Sequence, residues 1–197
     1  MKRSALFSTA LLAALAATAC GGSDSSAGED TAPAETSTPA AAPEAEAAPA
    51  EMTMPDWYQM DGNTVTLDIT AGATSAQNYW NFNGFTAGQG SITVPAGSRV
   101  VLNFTNNDPN MAHSVGIEEY RDSWIGVVEV SPVFEGAVSS NPGSLTESTL
   151  PGQSEVVEFD ASTPGTYTMV CYIPGHAQIG MWVTFIVSDD GSAGVVM

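Results

Sequence analysis

Three side chains that suit a soft metal lie close together near the C-terminus, and they constrain the fold more than any other feature. Cys171, His176 and Met181 all fall within the run CYIPGHAQIGM. Two imidazoles and a thiolate in a trigonal plane, with a weak axial methionine, form a blue-copper site. The second imidazole must come from His113, because the chain has only two histidines. The fold therefore has to bring residue 113 next to the 171–181 run.

Zinc is the alternative metal, since cysteine and histidine also bind it. Structural zinc sites usually pair their ligands at short spacing, as in C-x2-C or H-x3-H, and a thioether is a poor zinc ligand. Each residue taken singly could also be structural, with the cysteine or methionine filling a core. The occurrence of all four residues where one site needs them favours copper, with one ion per chain.

Apolar residues alternate with polar ones in three segments, which is the pattern of half-buried β-strands. The alternating residues are Val65, Leu67 and Ile69; Val100, Leu102 and Phe104; and Val183, Phe185 and Val187. Turn sequences separate these segments, so we expect an all-β sandwich. One short helix is expected over 131–138, with Ser131 as its cap and Pro132 at its first position. The long segment 120–152 should lie beside the metal site or along a sheet edge.

Two stretches of the sequence resemble the cupredoxins, and within them the sulfocyanins and rusticyanin-like proteins. One is the spacing C-x4-H-x4-M that follows YTMVCY. The other is the upstream run YWNFNGFTAGQGSITVPAGSRVVLNFTNND before the first histidine. The resemblance covers residues 64–188 and implies a cupredoxin-like Greek-key β-sandwich. It also implies one copper that alternates between Cu(I) and Cu(II).

The same resemblance gives roles to five residues. It implies that His113, Cys171 and His176 are equatorial ligands and that Met181 is the axial ligand. Ser114, directly after the first histidine, would help to hold the surroundings of the Cys171 sulfur. The resemblance further implies a relatively high reduction potential, with cytochromes and terminal oxidases as partners.

The N-terminal part of the chain has the composition of an export signal followed by a linker. Residues 1–19 combine a basic start with an apolar run before Cys20, which resembles bacterial lipoprotein processing. An ordinary secretory signal that is cut nearby is the alternative. Residues 20–55 are expected to be a disordered tether, which leaves 56–197 as the folded domain. We therefore expect an exported protein, held by lipid on Cys20 at the outer face of the cytoplasmic membrane or in the periplasm.

Cysteine content and charge limit the possible partners. Once Cys20 carries lipid, Cys171 has no cysteine to pair with, so metal ligation accounts for a free thiol in an exported protein. After loss of the signal only Arg99 and Arg121 oppose 22 acidic residues. Such a surface repels nucleic acid and favours basic partners, although adaptation to salt or solubility would give the same composition.

Together these features predict a monomeric carrier of single electrons in an exported respiratory chain, between a cytochrome complex and a terminal oxidase. Docking is expected at an apolar patch with Pro174 and Ile179, through which one edge of His176 emerges. The alternative is that Ile179 packs into the core. A copper enzyme would need further histidine-bound copper, for which the chain has no histidines left. A copper carrier or storage protein and a non-catalytic copper subunit of an oxidase complex are the remaining alternatives.

Overall fold

The computed structural model describes residues 51–197. The predicted export signal, the lipidation residue Cys20 and the linker up to residue 50 lie outside the described residues. Thr53, which the sequence assigns to the linker, pairs with Val195, and the two residues exchange backbone hydrogen bonds of 2.8 and 2.7 Å. The folded domain therefore begins before residue 56.

Nine strands form two sheets within the described residues. The strands are β1 (Tyr58–Asp61), β2 (Thr64–Ala71), β3 (Ser91–Pro95), β4 (Ser98–Asn106), β5 (Gly116–Glu119), β6 (Ser154–Ala161), β7 (Gly165–Val170), β8 (Trp182–Ser188) and β9 (Gly194–Val196). One sheet has the order β1-β2-β4-β6 and the other the order β5-β7-β8-β3-β9. The predicted all-β sandwich is confirmed.

Many neighbouring strands are distant in sequence, so the chain crosses repeatedly between the two sheets. In the first sheet β2 runs parallel to β4, with Leu67 opposite Leu102, and β4 runs antiparallel to β6, with Leu102 opposite Val157. In the second sheet β3 runs parallel to β8, with Ile92 opposite Phe185. This crossed connectivity is that of a Greek-key sandwich.

The inner faces of the sheets carry the predicted apolar residues. All nine alternating residues are 2% exposed or less, and each such burial contributes about 1.5–3 kcal/mol. Aromatic rings fill the space between the sheets, with Phe82 edge-on to Phe104 at 6.2 Å between centroids. The core is therefore a rigid base for the loops at the strand ends.

The predicted helix over 131–138 is wrong, because this segment uses its backbone to pair with β5. The amide of Val133 donates to the carbonyl of Ile117 at 2.9 Å, and the amide of Ile117 donates to the carbonyl of Ala137 at 3.0 Å. A helix would have needed these groups for its own bonds. The described residues contain one short α-helix instead, α1 (His176–Ile179).

The segment 120–152 meets both sequence expectations for its position. Its middle part covers the edge of the sheet at β5, as the pairing above shows. Trp124 and Val128 are buried against Tyr172 and Ala177 on the ligand-bearing loop, so another part lies beside the metal-binding end. No helix among residues 51–197 is long and apolar enough to cross a bilayer.

Candidate metal centre

Two loops at the same end of the sandwich carry the predicted ligands. His113 lies in the connection from β4 to β5, while Cys171 directly follows β7 and Met181 directly precedes β8. The antiparallel pairing of β7 with β8 continues past the strand ends, since the amide of Cys171 donates to the carbonyl of Met181 at 3.1 Å. Residues 171–181 are therefore the loop of a hairpin that the sheet holds at its base.

The conformation of this ligand loop follows from its two glycines. Gly175 has φ 91° and begins α1, and Gly180 has φ 113° and ends it; both values lie in the left-handed region that side chains disfavour. The amide of His176 donates to the carbonyl of Ile173 at 3.0 Å, and the amide of Met181 donates to the carbonyl of His176 at 2.9 Å. These bonds turn His176 back toward Cys171.

Three of the predicted ligand atoms meet at the spacing that a trigonal metal needs. The two Nδ1 atoms of His113 and His176 are 3.2 Å apart, and they lie 3.9 and 3.6 Å from Sγ of Cys171. Metal bonds of about 2.0 Å to nitrogen and 2.3 Å to sulfur at trigonal angles would separate such atoms by roughly 3.5 and 3.7 Å. All three side chains are fully buried. The arrangement fits one ion between them.

Met181 completes the set, because the structure brings it together with these three residues. Its side chain has no exposed surface. One soft thiolate, two imidazoles and a thioether without a carboxylate are the donors that copper selects among the common metals. The donor set therefore fits copper better than zinc.

Ser114 lies beside the Cys171 sulfur. Its Oγ is 3.7 Å from Sγ of Cys171 and accepts a hydrogen bond of 2.9 Å from the amide of Tyr172. Because Tyr172 directly follows the cysteine, this bond ties the thiolate's backbone to the first histidine loop. Hydrogen bonds near a ligating sulfur adjust its donor strength.

Asp108, which the sequence did not indicate as a site residue, hydrogen-bonds the ring nitrogen of His113 that faces away from Cys171. Nε2 of His113 donates to Oδ2 of Asp108 at 2.9 Å, and the carboxylate is 2% exposed. Its other oxygen accepts from the amides of Asn110 and Met111 at 2.8 and 3.1 Å. With Nε2 occupied, Nδ1 is the nitrogen left to face Cys171. The only sequence signal was an acid five residues before the histidine, in a run that reads as a turn.

Asn106 was also missed, and it fastens the loop that carries His113. Its amide nitrogen donates to the carbonyls of Met111 and Thr149, both at 2.8 Å, and its oxygen accepts from the amide of Asp108 at 2.9 Å. The amide of His113 donates to the same Thr149 carbonyl at 3.0 Å. The segment 120–152 thus supports the first ligand directly.

The predicted exposed edge of His176 is wrong. The side chain is fully buried, and the ring of Trp80 stacks on it with centroids 4.0 Å apart and planes 19° from parallel. Nothing in the spacing of residues 80 and 176 indicated this contact. Ile179 is 52% exposed and Pro174 is also exposed, so the alternative that Ile179 packs into the core is wrong as well. Docking through these two residues stays a prediction.

Burial keeps the metal-free site neutral. It lowers the pKa of His176 to about 3, assisted by the charge of His113 and opposed by Asp108. It also lowers the pKa of His113, although the hydrogen bond and charge of Asp108 act against this. Burial raises the pKa of Cys171 to about 11, against hydrogen bonds from Ser114 and Ile173. A metal ion therefore has to displace one thiol proton and no imidazolium proton near neutral pH.

Comparisons with known proteins agree with this site. A family model described as the sulfocyanin (SoxE) domain matches residues 49–196. The sulfocyanin of Sulfolobus acidocaldarius is 29% identical over 141 residues, covering 69% of each chain. A rusticyanin of Acidithiobacillus ferrooxidans is 31% identical over 97 residues, covering 49% of this chain and 59% of the relative.

Solved rusticyanin structures are more distant neighbours. The structure of rusticyanin from Thiobacillus ferrooxidans matches with 22% identity and a TM-score of 0.44, covering 68% of this chain and 87% of that one. The family model spans most of the chain, and it confirms the cupredoxin resemblance read from the ligand spacing. The chain therefore belongs to the sulfocyanin family of blue copper electron-transfer proteins, with one copper ion as its cofactor.

Proposed function

We propose that this protein carries single electrons in an exported respiratory chain, between a cytochrome complex and a terminal oxidase. The observation that carries the proposal is the buried set of His113, Cys171 and His176 at metal-ligand spacing. Bound copper supplies one-electron chemistry by alternating between Cu(I) and Cu(II). The surrounding protein keeps the four donor side chains in place in both oxidation states of the copper.

Two supports limit rearrangement of the donors. The first is the β7–β8 hairpin, which fixes Cys171 against Met181 through the backbone. The second is Asn106, whose three hydrogen bonds join Asp108 and Met111 of the His113 loop to Thr149. A pocket that changes little between redox states needs little reorganisation, which favours fast transfer.

Surface charge supports a basic partner. Most carboxylates after residue 55 are exposed, and both arginines are already engaged. Arg99 pairs with Glu158 at 2.5 Å and Asp160 at 3.7 Å, while Arg121 lies over the ring of Trp124 at 4.9 Å. The remaining field is negative and steers cationic patches toward the protein.

Export and membrane attachment are part of the proposal. They are supported by the basic and apolar start of the sequence, by Cys20 after small residues, and by the Ala/Pro/Glu-rich stretch before the domain. A fractionation experiment tests them: the Cys20→Ala protein should leave the membrane fraction. Retention in the membrane at the original level would mean that another anchor holds the protein.

A copper carrier or storage protein is the second candidate. Met52 and Met54 are exposed at 43% and 58% and suit transient metal contact. The predicted ligands, however, have no exposed surface, which opposes rapid metal exchange.

Two measurements on copper-reconstituted protein separate the candidates. An electron carrier should show an intense thiolate-to-copper band and a reversible voltammogram, and it should keep its copper in the presence of a chelator. Cys171→Ser should lose the band, while Ser188→Ala, a control on β8, should keep it. Rapid copper loss to the chelator without a reversible couple would favour the storage function. A Cys171→Ser protein that stays blue would contradict the site itself.

A further inference from the structure

Trp80 lies between the buried ligand His176 and the protein surface. The imidazole has no exposed area, while the indole stacked on it is partly exposed. Nε2 of His176 is buried and has no hydrogen-bond partner among the described residues. His113 is oriented by a carboxylate, but His176 is oriented by a ring. An electron that leaves along His176 therefore meets the indole first.

The backbone directly before Trp80 adopts a strained conformation, and this conformation sets the position of the indole ring. Gln77, Asn78 and Tyr79 have φ values of 49°, 57° and 67°, and three consecutive left-handed residues are unfavourable for L-amino acids. Strain of this kind persists only where surrounding contacts enforce it, and it clusters at functional sites.

Those contacts come from Asn81, which is fully buried. Its amide nitrogen donates to the carbonyls of Thr74 and Ala76 at 2.8 and 3.0 Å, and its oxygen accepts from the amide of Gly84 at 3.0 Å. Nε1 of Trp80 is itself buried without a partner among the described residues. The loop and the stack, rather than a hydrogen bond of the indole, therefore fix the ring.

Three other side chains beside the ligand residues end inside the protein. Asp108 behind His113 and Ser114 beside Cys171 are buried. Tyr172, the neighbour of Cys171, is 1% exposed, and its hydroxyl donates to the buried carboxylate of Glu118 at 2.8 Å. Of these contacts, Trp80 alone reaches the surface.

The chain segment that carries Trp80 is uncharged, in contrast to the rest of the protein. Residues 69–98 contain no Asp, Glu, Lys, Arg or His, although the whole chain has a net charge of −18. Residues 73–78, directly before the indole, are all exposed. A partner that contacts this segment therefore desolvates none of its own charged groups.

We propose that Trp80 is the electron port of this protein. One electron passes from the reduced centre through His176 and the stacked indole to an oxidised one-electron group on the partner. The indole provides electronic coupling only, so it is neither oxidised nor reduced, and no bond or proton changes place. The proposal rests on the electron-transfer function, and it replaces the exposed histidine edge that the sequence predicted.

Electron self-exchange tests the port without a known partner. NMR line broadening in mixtures of oxidised and reduced protein gives the rate. Trp80→Leu and Trp80→Met keep apolar volume but remove the ring, and both should lose most of the exchange rate while keeping the visible band. Trp80→Phe keeps a stacked ring and should be faster than either. Trp57→Leu is the matched control, because Trp57 is a partly buried indole against Phe85 and not against a ligand.

A second readout tests the stack without copper. In the apoprotein, the ring protons of His176 should be shifted upfield by the indole, and Trp80→Leu should remove that shift. Equal or faster exchange in the Leu and Met variants would overturn the port and make Trp80 a shield. If the Leu variant fails to fold, equal rates for Met and Phe overturn the port in the same way. Absence of a reversible copper couple in the unmodified protein would instead refute the electron-transfer function.

Discussion

Nε2 of His113 donates a 2.9 Å hydrogen bond to the carboxylate of Asp108, and both side chains are closed to solvent. A carboxylate behind a metal-binding histidine fixes the ring orientation and makes the imidazole a stronger donor. It also places a negative charge close to the metal. Both effects stabilise the more highly charged Cu(II) state. Asp108 thus opposes the apolar pocket, which favours Cu(I).

Replacing Asp108 with Asn should raise the reduction potential. The amide can still accept the hydrogen bond from His113, but the charge is gone, and Cu(II) affinity should fall roughly 10- to 100-fold as for other residues behind metal ligands. Voltammetry and copper titration measure the two effects. Asp160→Asn removes one charge from an exposed site and serves as the control, because solvent screens it. A potential that moves equally in both variants would mean that the buried charge of Asp108 has no special effect on the metal.

Met181 should tune the potential without being required for copper binding. Axial thioethers bind weakly, and the residue is fully buried, so Leu can fill its volume. Met181→Leu should raise the potential because it removes a donor to Cu(II), and Met181→Gln should lower it because an amide oxygen is a harder donor. Voltammetry checks the order of the three proteins. Loss of copper from both variants would show that Met181 is not a weak axial ligand.

Local patterns in the sequence predicted the sandwich well. Strict alternation in β2, β4 and β8 leaves only one way to bury the apolar residues, as Leu67, Leu102 and Phe185 show with no exposure at all. The segment 131–138 shows the limit of such patterns. Its capping residues favour a helix locally, but the unpaired edge of β5 offered backbone partners, and Glu118 accepts from the amide of Ser131 at 2.7 Å. Tertiary pairing outweighed local preference.

The ligand residues could be predicted because their chemistry is rare in combination. The residues that orient them could not. Trp80 contacts His176, and Asn106 contacts Thr149, only after the sheets have folded, and neither pair has a characteristic spacing. The carboxylate of Asp108 looked like part of a polar turn. The donor residues of this site can therefore be predicted from the sequence, whereas the residues that orient them and shield them from solvent are seen only in the structure.

Stability of the metal-free protein should fall as the pH decreases from about 6.5 to about 3. His176 has its pKa lowered from 6.5 to about 3 in the folded protein, so between these values the unfolded chain binds the extra proton and the folded chain does not. The contribution of His176 to the free energy of unfolding is most favourable above the pKa of the unfolded chain. It falls as the pH decreases, by up to about 1.4 kcal/mol per pH unit for this group.

Urea unfolding of the apoprotein at pH 7, 5 and 4 measures this dependence. His176→Gln keeps a buried polar side chain that does not titrate, so its stability should depend less on pH than that of the unmodified protein. Copper-bound protein should show a dependence at least as strong, because its unfolding also returns the proton that the metal displaced from the Cys171 thiol. Equal pH dependence in the apoprotein and in His176→Gln would show that folding does not lower the pKa of this histidine.

Ile179 should contribute to partner docking, together with a neighbouring loop that the sequence did not indicate. The side-chain amide of Gln178 in α1 donates to the carbonyl of Gly126, which places Ile125 and Val127 beside the helix. Those residues are 94% and 76% exposed, and Ile179 is 52% exposed. The patch of Ile125, Val127 and Ile179 can supply apolar contact area beside α1, the helix that begins at His176.

Two changes separate apolar docking from charge steering, because salt screens the second and leaves the first. With a cationic redox protein as partner, transfer should slow as ionic strength rises. Ile179→Glu should slow transfer further, even at high salt, and should leave the visible spectrum intact. Val156→Glu is the control, since Val156 is 58% exposed on β6 in the other sheet and should affect transfer only through its charge. Stopped-flow rates across a salt series test this. Equal rates for the two variants at high salt would move the docking face away from Ile179.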